Sequence, residues 1–197
     1  WFDYDRDGNL DFYITDWDKC ETNLLFKNNG DDSFTNVTQE TGLTEPSPLH
    51  GFNALPIDIN NDGWMDLYVS NDIDEPNYLY INNNGVNFTE VAATYGLDNQ
   101  FDDMAIATGD YNLDGFLDLF ITGIDENRLY KNNGDSTYTS EEVVMGVDDT
   151  SWAWGAKFSD LDLDGDVEVL SCGRDGLSIA TNNSTPGNIN FGIINDG

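Results

Sequence analysis

The stretch Asp110-Tyr111-Asn112-Leu113-Asp114-Gly115-Phe116-Leu117-Asp118 sets acceptor side chains at positions one, three and five, a glycine at six and an acid at nine. The pattern D-x-[DN]-x-D-G-x-x-[DE] recurs as Asp3-Asp5-Asp7-Gly8-Asp11, Asp58-Asn60-Asp62-Gly63-Asp66 and Asp160-Asp162-Asp164-Gly165-Glu168. First positions 3, 58, 110 and 160 are separated by 55, 52 and 50 residues. A period near 50 is that of a propeller blade.

A second landmark keeps the register. Each acidic loop is followed 22 to 25 residues later by an Asn pair: Asn28-Asn29-Gly30, Asn82-Asn83-Asn84-Gly85, Asn132-Asn133-Gly134 and Asn182-Asn183-Ser184. Asn-Gly supplies the positive φ angles of a tight hairpin turn. Strand-like residues flank these turns, as in Leu24-Leu25-Phe26 before and Phe34-Thr35 after. The runs after the acidic loops, Phe12-Tyr13-Ile14, Leu67-Tyr68-Val69, Leu119-Phe120-Ile121 and Val169-Leu170, are continuously apolar, which implies burial on both faces. Stacked antiparallel blades provide that burial, whereas a β-sandwich requires no motif repeated in register. The expected fold is therefore all-β, a propeller segment of four four-stranded blades, approximately 1–49, 50–102, 103–150 and 151–197, with the acidic loop between the first two strands of each. One-turn helices are expected near Val37-Thr38-Gln39-Glu40 and Val91-Ala92-Ala93-Thr94.

Composition narrows the function. The chain of 197 residues carries 38 Asp+Glu against 7 Lys+Arg, a formal net charge of -31. Such a polyanion is repelled by phosphate backbones and anionic lipid, so neither nucleic acid nor a membrane is an expected partner. Trp, Tyr and Phe number 5, 9 and 11, too many for an acidic disordered tail. No apolar run approaches the roughly 18 residues of a membrane span. Basic residues are too few to neutralise the acids, which leaves a cation from solution as the substitute.

Ca²⁺ takes six to eight oxygen ligands from carboxylates, amides and carbonyls. In each loop, positions one, three, five and nine offer side chains and position seven its carbonyl. The expected sets are Asp3, Asp5, Asp7, Asn9 and Asp11; Asp58, Asn60, Asp62, Trp64 and Asp66; Asp110, Asn112, Asp114, Phe116 and Asp118; and Asp160, Asp162, Asp164, Asp166 and Glu168. About four Ca²⁺ ions, one per loop, are expected. An EF-hand needs a Glu at position twelve, where this chain has Ile14, Val69, Ile121 and Ser171.

These loops resemble the FG-GAP or VCBS type of repeat, the calcium-loop blades of integrin alpha-subunit propellers. The runs Asn127-Arg128-Leu129-Tyr130-Lys131-Asn132-Asn133-Gly134 and Trp154-Gly155-Ala156 look most like the secreted branch that includes cartilage acidic protein and its bacterial relatives. The resemblance covers essentially the whole chain. It implies a β-propeller with calcium between the first two strands of each blade, in a secreted, extracellular, cell-surface or periplasmic protein, and a closed ring of about seven blades. Trp1 stands partway through a strand, so the four units are expected to be part of a larger ring with apolar faces open to self-association.

Enzymatic signals are sparse. His50 is the one histidine, between Pro46, Pro48 and a strand, with no nucleophile motif beside it. Cys20 and Cys172 are too few for a disulfide framework and are not spaced for zinc, leaving one disulfide or two thiols. Trp17, Trp64, Trp152 and Trp154 are expected mainly to fill space between blades rather than to stack on sugars. The function that follows is a calcium-binding, extracellular binding or adhesion module whose partner is an extracellular protein or glycan. The alternatives are a propeller of an extracellular carbohydrate-active enzyme or a structural subunit of an extracellular assembly.

Overall fold

The computed structural model describes residues 1–18, 22–45, 49–124, 126–148, 152–174, 176–182 and, for the backbone alone, 191–195. It is all-β, with a propeller-like succession of antiparallel sheets in chain order. The first sheet holds β1 (Phe12–Ile14), β2 (Leu24–Asn28) and β3 (Phe34–Asn36), and an isolated bridge from Phe2 to Asp11 extends it. Next come β4 (Gly51–Ile57), β5 (Asp66–Asn71), β6 (Glu75–Pro76), β7 (Tyr78–Asn82), β8 (Phe88–Glu90), α1 (Ala92–Tyr95) and β9 (Gln100–Phe101). Here β4-β5-β7-β8 form the second sheet, and β6 pairs with β9. The third sheet is β10 (Asp103–Gly109), β11 (Asp118–Gly123), β12 (Arg128–Asn132) and β13 (Tyr138–Ser140), followed by α2 (Glu142–Met145). The fourth is β14 (Ala153–Ser159), β15 (Glu168–Gly173), β16 (Gly176–Asn182) and β17 (Phe191–Asn195).

The chain divides into two compact units, Trp1–Phe101 and Asp102–Gly197, of two principal sheets each. In the first, Phe2, Tyr4, Leu25, Leu43, Leu67, Val69, Tyr80 and Phe88 form one apolar cluster. In the second, Ala107, Tyr111, Phe120, Leu129, Val147, Phe158, Val169 and Ala180 form another. Strands β5 and β11 are buried along their whole length, as continuously apolar runs require.

The first repeat departs from that expectation. In β1, Phe12 and Tyr13 are half-buried and Ile14 is exposed. One face of this sheet carries an aromatic stack instead, with the Phe12 ring centroid 5.0 Å from Trp1, 4.9 Å from Phe26 and 4.9 Å from Phe34.

In the second repeat Asn84 and Gly85 both take positive φ, 57° and 75°, in a turn closed by Val86 N–H to the Asn83 carbonyl at 3.2 Å, as the Asn-Gly pair leads one to expect, whereas the first and third repeats build a different turn. A five-residue loop, closed by Asn29 N–H to the Ser33 carbonyl at 3.0 Å, places positive φ on Gly30 and Asp32, and the third repeat does the same on Gly134 and Ser136. The second Asn stays out of the left-handed region and uses its side chain. Asn29, Asn83 and Asn133 donate to the hydroxyls of Thr35, Thr89 and Thr139 at 3.1, 2.9 and 3.0 Å. The fourth turn lies outside the described residues.

After the last strand of each of the first three repeats the chain makes a single turn ending in a left-handed glycine, Gly42, Gly96 or Gly146. The next residue, Leu43, Leu97 or Val147, plugs the core. The expected turn at Val91–Thr94 is α1, shifted by one residue, and that at Val37–Glu40 is hydrogen-bonded turn rather than helix. The α2 turn had no counterpart in the sequence reading.

Candidate metal centre

Position one organises each loop. The Asp3, Asp58 and Asp110 carboxylates each accept from two backbone amides, those of positions five and six: Asp7 and Gly8 at 3.1 and 3.0 Å, Asp62 and Gly63 at 3.0 and 2.8 Å, and Asp114 and Gly115 at 3.0 and 2.8 Å. Position five accepts from the amide of position seven, so Asp7 holds Asn9, Asp62 holds Trp64, Asp114 holds Phe116 and Asp164 holds Asp166, at 2.9, 2.8, 3.0 and 3.2 Å. These Asx turns draw the odd-numbered acceptors to one side of the loop. Two left-handed residues make the bend. Position four takes φ of 58° at Arg6, Asn61 and Leu113 and 63° at Leu163, while position six takes 89° to 100° from Gly8 through Gly165, a region that glycine alone enters freely.

Position nine does more than the sequence implied. Asp11, Asp66 and Asp118 are fully buried, and each clamps two backbone amides. One oxygen accepts from position two (Tyr4, Ile59 and Tyr111, each 3.1 Å) and the other from the first Asn of the pair (Asn28, Asn82 and Asn132, each 2.8 Å). Position two is itself a core plug in these three loops, with Tyr4, Ile59 and Tyr111 buried, whereas Leu161 of the fourth loop is half-exposed. The first Asn completes the frame through its side chain. Asn28, Asn82, Asn132 and Asn182 donate to the position-eight carbonyls of Leu10, Met65, Leu117 and Val167 at 3.1, 3.0, 3.2 and 3.3 Å.

Burial pushes these ninth-position acids up, Asp66 to about 7 and Asp118 to about 8, against the lowering effect of their two amide donors. Asp11 is also raised by burial. Neighbouring carboxylates of the same loop add to each shift, so the concentrated negative charge is unfavourable without a cation.

Among the described residues, carboxylate oxygens of Asp3, Asp5 and Asp11 lie within 4.8 Å of one another, as do those of Asp160, Asp162 and Glu168. In the second and third loops the third position is an amide, and Asn60 and Asn112 accept from the amides of Asp62 and Asp114 at 2.9 Å each. The fourth loop gives the clearest test of fit. Asp160 Oδ1 and Glu168 Oε1 are buried with no hydrogen-bond partner, while Asp160 Oδ2 accepts from Gly165 and Glu168 Oε2 from Leu161. Hard oxygen donors buried without a proton donor suit a divalent cation such as Ca²⁺. The first loop has a different solution: Lys27 Nζ pairs with Asp5 and lies 2.8 Å from Asp7. Sequence reasoning missed Lys27 because it stands on β2, 20 residues beyond Asp7.

The remaining candidates sit elsewhere in the repeats. His50 donates its backbone N–H to Glu75 at 2.6 Å, its ring is 3.3 Å from the same carboxylate, and Trp17 packs on it at 5.5 Å. Trp17, Trp152 and Trp154 are exposed rather than packed away, because their rings ride on loop and edge positions; Trp17 Nε1 donates to Asp72 at 2.8 Å. Trp64 is covered by the Arg6 guanidinium at 4.4 Å. Cys172 is a free, exposed thiol, and Cys20 lies outside the described residues, as does the pairing expected of it. Among the described residues no helix is long and apolar enough to cross a membrane.

The FG-GAP-like repeat matches residues 3–69, 58–121 and 110–171, each window opening on the first aspartate of one loop and closing within the strand that follows the next loop. No curated protein matches the chain in sequence. Among solved structures it is similar to a lectin of Agrocybe aegerita described as specifically recognising non-reducing terminal N-acetylglucosamine, with a TM-score of 0.49 and 19% identity. The match covers 95% of this chain and 53% of the lectin, so the chain spans about half of that protein's length.

Proposed function

Because the chain belongs to the FG-GAP-like repeat family, we propose that it is a calcium-stabilised, extracellular binding module. The observation that carries this reading is the pair of buried, unpartnered oxygens on Asp160 and Glu168 within a three-carboxylate cluster. The other loops repeat its backbone frame with the same or amide-substituted acceptors. A bound Ca²⁺ supplies charge neutralisation and a common centre for positions one, three, five, seven and nine. The chain's own residues do the rest: the ninth-position acid ties loop to strand, and position two anchors the first three loops in the core.

The antiparallel order of each sheet puts the loop joining its second and third long strands at the end opposite the acidic loop. We assign the partner surface to that end, where Trp17 of the first sheet's loop stands half-exposed and oriented by Asp72, beside His50 and Glu75. An aromatic face flanked by carboxylates suits an extracellular protein or a neutral glycan and disfavours anionic partners. Metal analysis of protein dialysed against millimolar calcium, then buffer, tests the metal half of the proposal. About four calcium ions per chain supports it; none contradicts it. Loss of binding to an identified partner in Trp17→Ala, with calcium content intact, tests the surface.

A further inference from the structure

By carboxylate count the first and fourth loops should bind metal equally well, since each places acids at positions one, three, five and nine, and the second and third have one acid fewer. The structure breaks that equivalence. On β2 the Lys27 ammonium reaches across to the first loop, pairing with Asp5 and approaching Asp7 to 2.8 Å, with Tyr4 beneath it at 5.9 Å. The corresponding register positions beside the other loops are Ile81, Lys131 and Thr181, next before Asn82, Asn132 and Asn182. Ile81 and Thr181 carry no charge. Lys131 does, yet it makes no ion pair among the described residues, and the third position of its loop is the neutral Asn112 rather than an aspartate. A lysine at this register combined with an acid at position three occurs in the first loop alone.

We infer that Lys27 is a tethered counter-cation of the first acidic loop, which makes that loop the weakest calcium site of the four and the fourth loop the strongest. This rests on the calcium reading above. The ammonium occupies oxygens of the third- and fifth-position carboxylates that the metal needs, and it offsets one of the loop's four negative charges. Its tether gives it a high effective concentration there, so calcium must displace it. The fourth loop offers the same four carboxylates, two of them with buried oxygens that lack a partner, and among the described residues no cation pairs with it. Ligand charge strongly tunes calcium affinity in oxygen-lined loops. The first loop is then held in shape at low calcium by an internal ion pair, while the others depend on the metal.

Calorimetric titration of EDTA-stripped protein with calcium, comparing wild type with Lys27→Met and with the register control Lys131→Met, tests the inference. The wild-type isotherm should contain one step weaker than the rest by roughly tenfold or more. Lys27→Met should strengthen that step and lower the melting temperature in EDTA, and Lys131→Met should do neither. Lys27→Gln serves as a second variant if the methionine form does not fold. Equivalent sites in wild type, an isotherm unchanged by removing Lys27, or the same change from removing Lys131 would overturn the inference while leaving calcium binding intact. No calcium uptake by any of the proteins would remove both the calcium reading and the inference.

Discussion

The side-chain amide of Asn82 donates to the Tyr4 carbonyl at 2.9 Å, linking the second sheet to the acidic loop of the first across 78 residues of chain. Asn182 repeats the contact with Tyr111 at 2.8 Å in the second unit. The acceptor in each case is position two of a loop, the residue that also plugs the core. Loop, core and neighbouring sheet are thus fastened at one residue, and the amide spans them.

Asn82→Ala should therefore cost more than an ordinary turn substitution. It strands the carbonyls of Tyr4 and Met65 and frees the Gly85 amide, which Asn82 Oδ1 holds at 2.7 Å. Leaving buried polar groups unsatisfied costs about 1 to 3 kcal/mol, so a loss of at least about 2 kcal/mol is expected in urea unfolding. Asn83→Ala, which removes only exposed hydrogen bonds to Asn87 and Thr89, should cost under about 1 kcal/mol. Equal losses would contradict the assigned roles.

Two glycines with similar φ should respond differently to alanine. A Cβ on Gly115 meets nothing within 4 Å, so only backbone strain, about 1 kcal/mol, is incurred. On Gly85 it would lie 2.9 Å from Asp5 Cα and 2.8 Å from the Trp64 ring. Gly85→Ala should be clearly the more destabilising in the same unfolding assay, by 1 kcal/mol or more on general overpacking costs.

Much of this was legible in the sequence, and the reason is periodicity. Four acidic loops in register fixed the number of repeats and the placement of the first two strands, because the backbone amides that positions one, three and five accept from lie within their own loop. What escaped were contacts that cross elements: the Asn82 amide on Tyr4, the ninth-position clamp on the amides of Ile59 and Asn82, and Lys27 over Asp5. Tyr4 and Tyr111 read as loop residues because a single aromatic between two polar loop acceptors, Asp3 and Asp5 or Asp110 and Asn112, carries no period. The half-exposed β1 also escaped, since Phe12-Tyr13-Ile14 looks no different in sequence from the fully buried Leu119-Phe120-Ile121.

In EDTA, stability should fall as pH rises from about 4 to about 8. Burial raises Asp66 to about 7 and Asp118 to about 8, so over this window the folded protein retains protons that the unfolded chain has released. A raised carboxylate pKa thus disfavours the fold above the ordinary carboxylate range and ceases to do so on acidification. Bound calcium should flatten the dependence by stabilising the ionised form. Thermal melts at pH 5 and pH 8, with and without calcium, check this; a metal-free protein more stable at pH 8 than at pH 5 would contradict it.

Asp62→Ala should abolish one site and spare the others. It removes the acceptor for Trp64 N–H at 2.8 Å and for the Asn60 amide at 3.0 Å, contacts confined to the second loop. In repeat proteins energetic coupling runs mainly between neighbours. Calcium content should drop by about one ion per chain in equilibrium dialysis, and loss of all bound metal would contradict the independence of the loops.

The central claim, that calcium and not apolar packing alone holds these loops and with them the fold, is tested most directly by thermal unfolding in EDTA against millimolar calcium, with magnesium as the control. Several sites occupied well above their dissociation constants should raise the melting temperature by roughly 10 °C or more, and magnesium should do far less because it demands a smaller octahedral shell. Superimposable curves in EDTA and calcium would contradict the account.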